Sequence, residues 1–320
     1  MENEKNISGI SDNLADSILE HKEQESKITT TGILDGLKVA ISISNNEDLE
    51  SLGLSANHLK DVMIELARYL IVNGATLLYG GDLRNDGYTK LFSELSFQYK
   101  FLNDKTSRFH NYFPFPNSKE LSLAVKAEFI KHQVTPIQLP IPNHLGAIDQ
   151  EKQYSPFEIT YDRYVFSECF SNMRSVMAND SNARILLGGK QSNYLGYLPG
   201  IIEEAYFSLK ASNAIYLIGG FGGAAKSLCD IFLQETPKQM TDEYQYNSDF
   251  LLKFKEEYSS VSNTPMDYTE IIDFFNSYSL EQLSNLNGLT TDENLILFES
   301  QNIHEIIFLI IKGLKNISTK

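Results

Sequence analysis

The chain has no tryptophan, only two cysteines (Cys169 and Cys229) and few cations for its size, with 27 Lys and Arg against 42 Asp and Glu over 320 residues. Each shortage excludes something. Two cysteines cannot build a disulfide framework or a thiolate zinc set, and a reduced cytoplasm is the expected setting. A net charge of −15 argues against a surface that tracks nucleic-acid phosphates, because that affinity comes largely from Lys and Arg. No apolar run approaches the roughly 20 residues needed to span a bilayer. The first residues are rich in Asn and Glu rather than basic then apolar, so no signal peptide is expected. The reading is a soluble cytosolic protein with no membrane partner.

What is present is a 42% hydrophobic fraction with 17 Tyr and 19 Phe, enough for a full core. Residues 1–31 are polar and probe as a flexible segment, although Ile7, Ile10, Leu14 and Ile18 recur at helical spacing. From Leu37 the character changes. Leu37–Ile43 predicts a buried strand, Ser55 caps a periodic helix through Leu59, Val62, Met63, Leu66, Ala67 and Leu70, and Asn73-Gly74 closes it. Ala75–Tyr79 predicts the next strand and Thr89–Tyr99 the next helix, the βαβ rhythm of a parallel sheet. The segment 108–142 holds five prolines and predicts a strand at Phe109–Phe113, a helix near Lys119–His132 and a second extended stretch.

Beyond Tyr161 the spacing predicts a helix to about Met177, a strand at Ala183–Leu187, a helix over Pro199–Leu209, a strand at Ala214–Ile218 and a helix ending near Phe232. Residues 234–320 read as helices only. The expected fold is an α/β, Rossmann-like open sheet, mainly parallel, with helices on both faces. The expected organisation is a flexible segment at 1–31, a ligand-binding domain at 32–235, and a helical extension at 236–320 packed on it.

Ligands in such sheets bind beyond the carboxyl ends of the strands. Three glycine turns fall there: Gly80-Gly81-Asp82, Gly188-Gly189-Lys190, and Gly219-Gly220-Phe221-Gly222-Gly223. A glycine pair lets backbone approach a ligand, and a following helix offers N–H groups to a phosphate. The same glycines also serve ordinary tight turns. The third turn lacks the spacing of a dinucleotide fingerprint and the Lys-Ser/Thr of a P-loop, so it could equally form a pocket floor. Ser42 and Ser44 end the first strand, and Asp82 and Arg84 follow the second. Arg174 lies on a helix, and Gly200 opens the helix that carries Glu203 and Glu204. Adjacent helical residues point about 100° apart, so one of the two glutamates faces a pocket, and Glu204 is the candidate.

These turns resemble the SLOG superfamily, which joins the Smf/DprA and Lonely Guy proteins. Tyr79-Gly80-Gly81 matches a Tyr-Gly-Gly turn after the second strand. Arg174 falls on the helix expected to carry an arginine. Gly188, Gly189, Gly200 and Glu204 match the glycines and the glutamate of Pro-Gly-Gly-x-Gly-Thr-x-x-Glu. The likeness covers roughly residues 37–232. The loop is expanded by Lys190–Pro199, Ile201 stands at the threonine position, and Leu187 stands where the pattern has proline. These departures make the chain most similar to the divergent SLOG groups associated with TIR or Sir2 domains in bacterial conflict systems. That resemblance implies a sensor of an NAD-derived, ADP-ribose-type ligand contacted by Arg174, Lys190 and Glu204, possible antiphage signalling through a separate effector chain, and a homodimer.

The second implied reading is an N-glycosidase acting on a nucleoside monophosphate or an NAD-type substrate. There Glu204 would activate water or stabilise an oxocarbenium-like centre and Arg174 would hold a phosphate. A third reading, an adaptor working through its N-terminal segment and helical tail, needs neither residue. No motif asks for a cofactor. His58, His110, His132 and His144 have no metal-ligand spacing.

Overall fold

A computed structural model describes residues 32–83, 87–101 and 104–319. The helical spacing at Ile7, Ile10, Leu14 and Ile18, and Arg84, lie outside the described residues.

Six parallel strands form one sheet in the order β4-β3-β2-β1-β5-β6: β1 (Lys38–Ser44), β2 (Thr76–Gly80), β3 (Phe109–Phe113), β4 (Thr135–Gln138), β5 (Ala183–Gly188) and β6 (Ala214–Ile218). The central strands read as near-continuous apolar runs because helices cover both faces. On one face, Val39, Ile41 and Ile43 of β1 and Ile185 and Leu187 of β5 meet helix α1 (Ala56–Val72), which buries Leu59, Val62, Met63, Leu66, Ala67 and Leu70. Its end is set by Gly74, whose φ of +91° suits only glycine without strain. Helix α2 (Tyr88–Tyr99) joins the same layer through Phe92 and Leu95.

Helix α3 (Leu123–His132) starts later than its periodicity suggests. A short 3-10 turn occupies Asn117–Glu120, and the Ser122 hydroxyl accepts from the Val125 N–H at 3.3 Å, an N-cap that fixes the first turn.

The opposite face carries α4 (Thr160–Asp180), α5 (Gly200–Lys210) and α6 (Gly223–Phe232). Met173 and Met177 of α4 pack on Ala40, Leu78 and Tyr112. Ile202 and Tyr206 of α5 and Leu228 and Phe232 of α6 share one core with Phe254, Tyr268, Ile271 and Phe275. Those four come from α8 (Asp249–Tyr258) and α9 (Tyr268–Asn276), which follow the short helix α7 (Asp242–Gln245). The C-terminal helices are therefore built into the sheet's own core.

The last three helices, α10 (Leu280–Asn287), α11 (Thr291–Glu299) and α12 (Ile303–Ser318), close the β6 edge. Asn287 donates its amide to the Ile215 carbonyl at 3.0 Å, and Tyr216 donates its hydroxyl to the Asn287 carbonyl at 2.8 Å. An edge strand thus loses one of its open acceptors to a side chain. α12 buries Ile306, Leu309, Ile310 and Leu314 against the α1 layer.

Glu293 ties α11 to α12. Its carboxylate accepts from Lys312 and, at 3.0 Å, from the Thr290 N–H in a capping box. The Lys312 hydrogen bond holds its pKa below the ordinary 4.5. A lowered folded pKa gives stability that is present above the unfolded value and lost as pH falls through the folded one. Glu293→Gln is expected to flatten that acid limb in denaturation curves collected from pH 6 downward. An unchanged limb would assign it to other carboxylates.

Candidate functional site

The chain runs from β1 out to β4 on one side and returns to β5 and β6 on the other. The direction of winding therefore reverses between β1 and β5, and ligands in open α/β sheets favour such a point. The two strands end together, with Ser44 opposite Gly188.

That junction is closed by the protein's own atoms. Gly188 (φ +66°) lies so near β1 that a Cβ would sit 2.6 Å from the Ser44 carbonyl oxygen. The Gly189 N–H donates to that oxygen at 2.9 Å. The Lys190 N–H donates to the Ser44 hydroxyl at 3.3 Å, leaving the Lys190 side chain exposed. Glu47 accepts from the Gln191 N–H at 3.3 Å and the Ser192 hydroxyl at 3.0 Å. At the N-terminus of α6, where an anion is favoured, Asp48 accepts from the Gly223 N–H at 2.8 Å. The next N–H, from Ala224, donates to the Gly189 carbonyl at 3.0 Å.

Gly219 and Gly220, candidates for ligand contact, face the C-terminal helices. A Cβ at Gly219 would sit 2.2 Å from the Phe298 carbonyl oxygen, and one at Gly220 would sit 2.3 Å from that of Ser300. Gly81 is as crowded, a Cβ there lying 2.3 Å from the Phe113 ring and 2.8 Å from the Tyr112 carbonyl oxygen, whereas one at Gly80 would meet the flexible Met173 Cε at 3.0 Å. The Asp82 N–H donates to the Thr89 hydroxyl at 3.1 Å. Gly81, Gly219 and Gly220 thus lie in close contact with neighbouring layers.

Two of the charged candidates, Arg174 of α4 and Glu204 of α5, converge with Glu203 and Arg184. Arg174 Nη1 binds Glu203 Oε2 at 2.5 Å, and Arg174 Nε lies 3.8 Å from Glu204 Oε1. Arg184, fully buried in β5, reaches Glu204 Oε2 at 3.3 Å. It also donates to the Ser42 hydroxyl at 2.9 Å and the Ser208 hydroxyl at 2.7 Å. Ser171 donates to the second oxygen of Glu203. Two arginines and two glutamates thus neutralise one another, with serines filling much of the remaining hydrogen-bonding capacity, as buried charge requires. Burial pushes Glu203 above its ordinary pKa despite Arg174 and Ser171, and burial lowers Arg184.

Two donors, Arg174 Nε and Arg184 Nη2, are buried without a hydrogen-bond partner. Glu203 is wholly buried, whereas the Glu204 side chain keeps 13% exposure.

The expanded loop covers this network. A Cβ at Gly196 would lie 2.8 Å from Arg174 Nη1, and one at Gly200 would lie 3.0 Å from Nη2, so glycine is what lets the loop lie on the guanidinium. Beside the network, a cavity of 420 Å³ opens between the 140–144 segment that follows β4, the α4 helix and Thr264. Ser171 lines it and touches Glu203 behind it. Glu168 also lines it, accepting from Tyr197 at 2.6 Å and lying 2.6 Å from His144 Nε2.

Ser42, Arg174, Gly200 and Glu204 are therefore brought together, while Lys190 and the other glycines lie elsewhere on the strand ends. Arg184, Glu168 and Asp48 were not among the candidates. Arg184 had a legible signal, a charge inside the apolar run Ala183–Leu187, where a strand buried on both faces must pair it.

A family model described as SLOG cluster2 matches residues 33–297. No curated protein matches the chain.

Proposed function

This chain belongs to the SLOG superfamily, and from that premise we propose that it binds a nucleotide or NAD-derived, ADP-ribose-type ligand as a sensing module. The observation that carries this reading is the 420 Å³ cavity meeting the arginine–glutamate network at Ser171. Its volume falls within the range of about 300–1,000 Å³ usual for small-molecule sites. Asn143, Asn172, Asn263 and Thr264 line it and suit ribose hydroxyls, which both donate and accept. The unpartnered Arg174 Nε suits a ligand oxygen arriving past Ser171. A guanidinium with a spare N–H is a good partner for phosphate.

Binding is favoured over cleavage because Arg174 offers a ligand its Nε while Nη1 is held by Glu203, and because Glu204 is held by Arg184 at 3.3 Å and does not line the cavity. An N-glycosidase would need that arginine on substrate and Glu204 beside the anomeric carbon. The competing hydrolase reading rests on Glu204 being the more accessible of the two glutamates. Signalling through a separate effector chain, an antiphage role and a homodimeric state belong to the same proposal.

The test is thermal denaturation with AMP, NAD, ADP-ribose and cyclic ADP-ribose isomers. A ligand at a hundredfold excess over Kd should add about 2.7 kcal/mol. Asn263→Ala, which removes an amide from the exposed cavity wall, should weaken that effect. Absence of a shift with every ligand would leave the adaptor reading in its place.

A further inference from the structure

Arg163 is the second arginine of α4, eleven residues before Arg174. Three helical turns separate them, so they share a face. Arg163 is 4% exposed, and among the described residues no carboxylate pairs with it. Its Nε has no hydrogen-bond partner, and Nη2 makes a long 3.4 Å contact with the Gly196 carbonyl. Its other neighbours are rings: Phe254 at 5.1 Å and Tyr194 at 5.7 Å from the guanidinium carbon. The adjacent acid does not serve it, because Asp162 is taken by Lys152 and by the Ser155 N–H at 2.9 Å. Buried arginines are ordinarily paired. This one has rings where a counter-ion should be.

The guanidinium lines a cleft of 230 Å³ between the expanded loop and the segment from Tyr244 to Leu251, and every other lining residue is uncharged. Asn193, Asn247 and Ser248 bring amide and hydroxyl groups to it, while the Ser192 hydroxyl donates to Glu47 at 3.0 Å. The wall is held in place from behind. Tyr194 bonds Gln245 at 3.0 Å and Tyr268 at 2.9 Å, and Gln245 donates to the Gln191 carbonyl at 2.8 Å. Asn193 sits at the rim with a left-handed φ of +51°, a conformation Asn and Asp tolerate best after glycine.

We propose that this cleft is a second ligand site, in which Arg163 is the counter-ion for the phosphate or carboxylate group of a small molecule. A lone cation in a neutral, aromatic and amide-lined cleft selects one anionic group and excludes cations. Its volume is below the usual range for whole drug-sized ligands, so it takes one compact group and not a dinucleotide. The site is separate from the cavity beside Ser171 and does not depend on the function proposed for that cavity. The Gly196 carbonyl accepts from Arg163 at 3.4 Å, and a Cβ on Gly196 would lie 2.8 Å from Arg174 Nη1.

Two probes distinguish the sources of the anion: inorganic pyrophosphate and citrate, titrated calorimetrically against the full chain in chloride buffer. At least one should bind wild type. Arg163→Met should lose that binding and melt no lower than wild type, since it removes an uncompensated buried charge. Asn193→Asp places a carboxylate at an exposed rim position, so it does not threaten the fold, and it should weaken the same anion at least tenfold. Glu204→Gln should leave the binding in place. The inference is overturned if neither probe binds wild type or if Asn193→Asp binds as wild type does. It is equally overturned if Glu204→Gln abolishes binding, or if Arg163→Met binds undiminished or is markedly less stable.

Discussion

Glu203→Ala is expected to destabilise the protein by about 3–5 kcal/mol, the usual cost of removing one partner of a buried ion pair. Glu203 is fully buried, Arg174 reaches it at 2.5 Å, and Ser171 donates to its other oxygen. Without the carboxylate, Arg174 keeps only Glu204, at 3.8 Å from Nε, inside a low-dielectric layer. A large domain shifts by about 2–4 °C per kcal/mol, so Tm should fall by about 6–20 °C. Arg174→Met combined with Glu203→Leu should recover much of the loss, because replacing both charges leaves none uncompensated. A cost under about 1 kcal/mol for Glu203→Ala would mean that the pair is solvated, with Arg174 available to substrate. Chemical denaturation of the three proteins decides between these outcomes.

The second large effect concerns the third glycine turn. Gly219→Ala puts a methyl 2.2 Å from the Phe298 carbonyl oxygen and 2.8 Å from Cys229 Sγ. The nearest obstruction is backbone, so relief requires the C-terminal turn of α11 to move off the sheet. Overpacking of this kind costs typically 1–3 kcal/mol, and here about 3 kcal/mol is expected, because no flexible side chain can yield. The expected signature is a lower unfolding midpoint with ligand stabilisation retained. A variant as stable as wild type that has lost its ligand response would return this turn to the binding surface.

The layered architecture was legible because each of its devices is local. Continuous apolar runs such as Ala214–Ile218, helical periodicity from Leu59 to Leu70 and glycines at strand ends all express backbone geometry within a few residues. The start of α3 was misplaced because a 3-10 turn and the Ser122 cap delay a helix whose apolar spacing begins earlier. The site was only partly legible because its contents are non-local. Asp48 occupies the N-terminus of α6 from 175 positions away, and no spacing rule announces such a pairing. Position at strand ends makes the glycine turns candidates for ligand contact and for tight turns alike. The sequence does not announce the neighbour across the gap, Phe113 for Gly81 and Ser300 for Gly220. Arg174 and Glu204 stand out by the order of the motif, whereas Arg184 is a single charge within an apolar run and Arg163 sits beside Asp162, an acid that pairs elsewhere. Their meaning appears once the surrounding acids are counted and, for Arg163, found to be missing.

The most direct test of binding without cleavage is base release under saturating ligand. NAD and AMP, each at concentrations that give full thermal stabilisation, are incubated with wild type and with Glu204→Gln, and free nicotinamide and adenine are followed by chromatography. The account predicts no release above the protein-free control from either protein. Release by wild type that disappears in Glu204→Gln would contradict it and make Glu204 the catalytic carboxylate of an N-glycosidase.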